Sequence, residues 1–154
     1  KAALITELAE AILGREFAVL DPPEPGQRWQ DWLTGFAGRL RRALLAHPDG
    51  ARVISAAQLS PTMAALSEHA MRTLVEAGLT LHDARLTVLA VERFTIGHVL
   101  EEQAPRPDAD ALADFDADAF ARRHPTLIAA ITAYFEPGRT VDDLFEDTLR
   151  RIVH

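Results

Sequence analysis

The sequence contains no cysteine, which removes disulfide staples, thiolate metal sites and thiol nucleophiles together. Stability must therefore come from packing. No run of about eighteen uncharged apolar residues occurs, and no basic stretch leads into an apolar segment with a small-residue cleavage site, so neither a membrane span nor a secretion signal is expected. The expected compartment is the cytoplasm. Positive charge is in deficit, with 16 Lys and Arg against 23 Asp and Glu and a net charge of −7, so this stretch is not expected to grip a phosphate backbone itself. Glycine-rich phosphate loops are absent, and Ser55, Ser60 and Ser67 lack a nucleophile-elbow context. Catalysis is not expected.

What remains is 154 residues, 48% of them hydrophobic, enough for one domain with a real core. The chain opens at Lys1 on a helical pattern with no capping residue ahead of it, which reads as a piece of a longer protein. Leu4, Leu8 and Ile12 recur every fourth residue, giving a first helix to about Leu13 or a few residues beyond. Asp21, Pro22, Pro23, Pro25 and Gly26 break it. Trp29, Trp32, Leu33, Phe36, Leu40 and Leu44 give a second helix, ended at Pro48-Asp49-Gly50. Val53 to Ala57 reads as one or two further turns. Ser60-Pro61 starts another helix and Gly78 ends it.

Thr80 with Asp83 resembles a capping box and opens a long helix, Leu81 to about Glu102. That helix is apolar almost all round: between Leu86 and Leu100 its only formal charges are Glu92 and Arg93. A helix of this kind belongs in a core, a subunit interface or the wall of a ligand cavity. The Ala-, Asp- and Pro-rich segment after Gln103 reads as a loop with at most a short helix. Pro125 to Phe135 and Val141 to Val153 complete an all-α fold of about seven helices.

Five aspartates, Asp108, Asp110, Asp114, Asp116 and Asp118, invite a calcium loop. The pattern fails, because counting from Asp114 puts Ala119 where Gly is needed and Pro125 where Glu is needed. His98 and Glu101, three apart, share a helix face as a possible metal or acid–base pair, but two ligands are too few for a metal site. His69, His82 and His124 read as surface residues, and His47 as a residue serving the last carbonyls of its helix. The run Arg39-Leu40-Arg41-Arg42 reads as a solvated face, and Trp29, Trp32 and Phe36 as core.

The strings KAALITELAEAIL, WQDWL, ALLAHPDGARV, LVEAGLTLHDA and FTIGHVLEEQ, in that order, resemble the effector-binding part of a tetracycline-repressor (TetR) family regulator. They span Lys1 to Gln103, and beyond Gln103 only the helical outline agrees. The resemblance implies a ligand-binding and dimerisation domain over residues 1–154, with 1–17 as the connecting helix from a separate N-terminal helix-turn-helix domain. The implied partners are a second copy of the chain, a small-molecule effector, and operator DNA through that N-terminal domain. It implies a four-helix bundle between protomers, with Leu89, Ile96, Leu144, Phe145, Leu149 and Ile152 at the interface; the broad apolar surfaces of both helices give this a physical basis.

By the same strings, positions that supply polar contacts to tetracycline in the type member fall on Phe17, Phe36, Ile54, Ala57 and Ala70, none of which carries a side-chain donor or a magnesium ligand. Gln58 and Leu59 replace two loop contacts, Leu40 replaces an aromatic wall, Val88 keeps an aliphatic one, and Glu101 carries over unchanged. The implied cavity is apolar, with Gln58, His98 and Glu101 as polar anchors, and suits a mostly hydrophobic small molecule without a metal or cofactor. Two rival readings stand beside it: a small helical enzyme using His98 and Glu101, and a ligand-free dimerisation domain whose core is filled.

Overall fold

The computed structural model describes residues 2–57, 60–108, 110, 113, 115–136 and 138–154. Among these there are eight helices and no strand: α1 (Ala2–Glu16), α2 (Trp29–Leu45), α3 (Gly50–Ala56), α4 (Pro61–Glu76), α5 (Leu81–Glu102), α6 (Ala117–Arg123), α7 (Pro125–Phe135) and α8 (Val141–Val153). None is long and apolar enough to cross a membrane. The helix boundaries follow the local punctuation. Ser60 Oγ accepts from Met63 N at 3.1 Å with Pro61 at the first helical position. Gly78, at φ +100°, closes α4 through the bonds Gly78 N to Val75 O and Leu79 N to Leu74 O, a Schellman arrangement that a residue with a Cβ would strain. Thr140 and Asp143 exchange both bonds of a capping box at the start of α8, 2.7 and 3.2 Å.

The chain forms two compact units, residues 1–103 with 148–154, and residues 104–147. In the first, α5 lays a buried stripe of Ala84, Val88, Val91, Glu92, Thr95 and Val99 into the core while Leu86 and Leu100 on its other side stay exposed. That stripe follows the helical period, so one face of an all-round apolar helix suffices for the core. α2 meets it with Leu33, Phe36, Ala37, Leu40 and Leu44. In the second unit α6 and α7 bury no residue. There Phe120 packs on Phe115 and His124, and Tyr134 donates to Asp147 at 3.0 Å.

Two polar devices fix the first unit. Gln103, just past α5, donates to Leu44 O and His47 O at 3.1 and 2.9 Å and accepts from Ala51 N at 3.3 Å, so one amide holds the end of α2, the turn and the start of α3. The last carbonyls of α2 are thus served by Gln103, and not by the His47 imidazole. In that turn Asp49 is left-handed at φ 57°, and a Cβ on Gly50 would lie 2.2 Å from Leu44 O, which is why only glycine fits. The second device is Glu10 of α1, which accepts from Ser60 Oγ at 2.5 Å, from Thr62 N at 3.3 Å and from the Thr62 hydroxyl at the start of α4. Partial burial pushes its carboxyl up, yet the bonds from Ser60 and Thr62 together outweigh this and leave it below the usual carboxylate range.

Candidate functional site

Seven of the expected lining residues, Phe17, Phe36, Leu40, Ile54, Ala57, Ala70 and Val88, lie inside the first unit at no more than 6% exposure. They come from α2, α3, α4, α5 and the residues directly after α1 and α3. Phe17 and Phe36 touch, with ring centroids 5.6 Å apart. Gln58 and Leu59 lie outside the described residues.

Around Phe36 the structure assembles a row that helical spacing alone did not reveal. Trp32 stacks on Phe36 at 5.6 Å, and His69 of α4 meets Trp32 edge-on at 5.5 Å. His69 is only 8% exposed, which corrects the surface reading: it shares the inward stripe of Leu66, Ala70 and Thr73. Its hydrogen bonding defines a tautomer. Arg72 can only donate, so Nδ1 accepts from Arg72 at 3.4 Å and the protonated Nε2 donates to Asp21 O at 3.2 Å. Trp32 Nε1 donates to the same carbonyl at 3.2 Å, so Asp21 O receives two donors.

Arg39 completes the fixing of this segment. Its guanidinium lies 4.9 Å over the Phe17 ring and donates to Glu16 O at 2.6 Å and Val19 O at 3.2 Å. Arg41 forms a fork with Glu102. The arginine run is therefore not a simple solvated face, although Arg42 remains exposed. Beside the aromatic row a pocket of about 470 Å³ opens, lined by Trp32 and Phe36 and by the charged Asp21, Glu24, Arg39 and Arg42 among others; of the expected lining residues it includes Phe36 alone among the described ones. Its size suits a drug- or metabolite-sized molecule.

At the end of α5, His98 and Glu101 are not brought together as a pair. Glu101 is exposed, while the carboxylate facing His98 belongs to Glu102, 3.7 Å from His98 Nε2. One residue along a helix is about 100° of rotation, and that step turns Glu102 toward α2. No group of three or more His, Asp or Glu side chains arranged for a metal occurs among the described residues. Of the expected interface residues, Leu89, Ile96, Leu144 and Ile152 are half-buried, whereas Phe145 and Leu149 are buried in the single chain and have no open face for a partner.

Glu92, one of the two formal charges between Leu86 and Leu100, lies inside the core. It is 7% exposed, and one carboxyl oxygen accepts from Ser67 Oγ of α4 at 2.5 Å. Burial pushes this carboxyl up, and the Ser67 bond and the field of Arg85 offset that only in part. Its position one turn beyond Val88 was the available signal.

A family model described as the tetracyclin repressor-like C-terminal domain matches residues 22–154. The tetracycline repressor protein class A from transposon 1721 of Escherichia coli is 37% identical over 153 residues, 99% of this chain and 68% of that protein. Among solved structures, a possible TetR family transcriptional regulator from Streptomyces coelicolor A3(2) superposes with a TM-score of 0.70 at 27% identity, covering 99% of this chain and 73% of that one. TetR(class A) in complex with 5a,6-anhydrotetracycline and magnesium gives 0.62 at 29% identity, covering 99% and 72%.

Proposed function

Because this chain belongs to the tetracycline-repressor family, through its C-terminal regulatory domain, we propose that a mostly apolar small molecule bound among its helices controls operator binding. The chain is part of a ligand-responsive transcriptional repressor and not of an enzyme, as its repressor relatives are. The observation that supports the apolar effector is that Phe17, Phe36, Leu40, Ile54, Ala57, Ala70 and Val88, the positions the family resemblance assigns to the ligand, are all apolar and buried. None of these side chains offers a donor or a metal ligand. A class A relative was solved with an anhydrotetracycline and magnesium; these apolar walls supply no oxygen ligand for a magnesium chelate.

The working protein is a cytoplasmic homodimer in which residues 1–154 form the ligand-binding and dimerisation domain and separate N-terminal helix-turn-helix domains read the operator. The half-buried residues Leu89 and Ile96 of α5, with Leu144 and Ile152 of α8, supply the dimer seam. Effector among the helices favours one arrangement of α1, which follows the DNA-reading heads and is succeeded directly by the buried Phe17. Differential affinity for the two arrangements is required, since a ligand that binds both equally shifts nothing.

The test is native mass spectrometry of the intact purified protein, followed by operator-binding titrations with each compound that co-purifies or raises the melting temperature. A dimer whose operator affinity changes with an apolar ligand is expected. A monomer overturns the assembly, and unchanged operator affinity at saturating ligand overturns the control mechanism.

A further inference from the structure

The pocket beside the aromatic row is built along one face of α2. Trp32, Gly35, Phe36, Arg39 and Arg42 all line it, and their spacing by threes and fours puts them on a single stripe of that helix. The segment after α1 supplies further walls through Leu20, Asp21 and Pro22. Those walls are held in place: Asp21 O accepts from Trp32 Nε1 and His69 Nε2, and Arg39 donates to the carbonyls of Glu16 and Val19. The pocket is therefore preformed, and a ligand entering it does not have to order the chain.

Gly35 leaves its middle open. A Cβ there would meet nothing within 4 Å, and neither a positive φ nor a close approach demands glycine at this position. Glycine weakens a helix interior, so its effect here is to leave room beside Trp32 and Phe36.

Charge is distributed unevenly along the stripe. Arg39 is matched by Asp21, 3.5 Å away, and by the two carbonyls it serves. Glu24 lies near the first turn of α2, since its N donates to Gln27 Oε1 at 3.0 Å just ahead of that helix. Arg42 is at the other end, seven residues beyond Gly35 or about 10 Å along the axis. Its guanidinium folds back over Gly38, where a Cβ would lie 3.7 Å from Nη1. Among the described residues its partner is Glu16 Oε1 at 3.4 Å, one contact for a group with five donors, and its side chain is 66% exposed. An adjoining pocket of about 340 Å³ shares Arg42 and adds Arg15 and His47 against the single acid Glu16, so this end is the cationic one.

We propose that this pocket is a ligand site of its own, taking an amphipathic carboxylate whose apolar body lies along Trp32, Gly35 and Phe36 and whose acid group is held by Arg42. It goes beyond the apolar effector proposed above and stands without it. A guanidinium binds a carboxylate through parallel charge-assisted bonds, so the site selects an acid over its neutral or basic counterpart.

Isothermal titration calorimetry of the intact protein with 6-phenylhexanoate, 6-phenylhexan-1-ol and 6-phenylhexylamine tests this. The wild type is expected to bind the acid about tenfold more tightly than the alcohol, and the amine more weakly still. Arg42→Gln is expected to bring the acid down to the level of the alcohol. Gly35→Leu places a side chain in the open space and is a better helix former, so it is expected to melt no lower than wild type and to lose about tenfold in affinity for the acid. Should Gly35→Leu misfold, Arg42→Gln, at an exposed position, decides the matter. Equal binding of acid and alcohol, preference for the amine, persistence of the acid preference in Arg42→Gln, undiminished acid binding by folded Gly35→Leu, or no binding of the acid to the wild type overturns the assignment.

Discussion

Arg41 and Glu102, 61 residues apart, form a two-point fork, with Nε to Oε2 at 2.9 Å and Nη2 to Oε1 at 2.5 Å. Their side chains are 14% and 19% exposed, so the pair is shielded enough to tie the outer side of α2 to the last turn of α5. Lysine cannot reproduce a planar fork. Arg41→Lys is expected to lose about 1–2 kcal/mol in urea unfolding. A double-mutant cycle with Glu102→Gln should show coupling, and additive effects would mean the fork contributes nothing specific.

Gln103 carries three bonds across the end of α2, the turn and the start of α3. Gln103→Ala leaves two part-buried carbonyls and one amide to find new partners, at a cost of about 2–3 kcal/mol. Hydrogen exchange should speed up first in α3. Unchanged protection there would show that packing alone holds this helix.

Glu92 gives a pH signature of known sign. A carboxyl whose folded pKa is raised contributes its full stability below the ordinary glutamate range and loses it as pH rises through the folded value. Glu92→Gln removes that loss. Its melting temperature should exceed wild type by about 2–4 °C at pH 8 and match it near pH 4. A gap that is constant with pH would be incompatible with titration of Glu92.

Glu10 has the opposite sign. Its carboxyl is held low by Ser60 and Thr62 against the push of partial burial, so its stabilisation is present above the ordinary range and fades as pH falls through the folded value. Because the group is largely solvent-screened, Glu10→Gln should lower the melting temperature at pH 7 by only about 2–4 °C. Below pH ~3 the two proteins should melt together; a gap surviving there would point to lost packing in place of lost charge.

Helix starts and stops were readable because their causes are local. Ser60-Pro61, Gly78, Thr80 with Asp83 and Thr140 with Asp143 each satisfy or end a backbone run within a few residues. The roles of Arg39, Arg41 and His69 were not readable, since their partners lie far along the chain: Asp21 O is 48 residues from His69. Periodicity also cannot say whether an apolar stripe is covered by its own chain or by another. Phe145 and Leu149 belong to the same α8 stripe as Leu144 and Ile152, yet only the last two keep accessible surface. The burial of Phe17, Phe36, Leu40, Ile54, Ala57, Ala70 and Val88 was legible in their apolar character, whereas the choice of Glu102 over Glu101 as the carboxylate that meets His98 and Arg41 needed the three-dimensional rotation of α5.

The clamp on the segment after α1 and the bonds of Glu10 to Ser60 and Thr62 fix the second half of that helix, so its first residues form a lever hinged near Glu10. Arg39 holds the carbonyls of Glu16 and Val19, and Trp32 and His69 hold that of Asp21. Any swing of α1 about this hinge grows with distance from it. At ~1.5 Å per residue, a tilt of about 10° near Glu10 displaces Leu4 by about 1.5 Å. Leu4, exposed and apolar, sits toward the end of the arm that travels farthest.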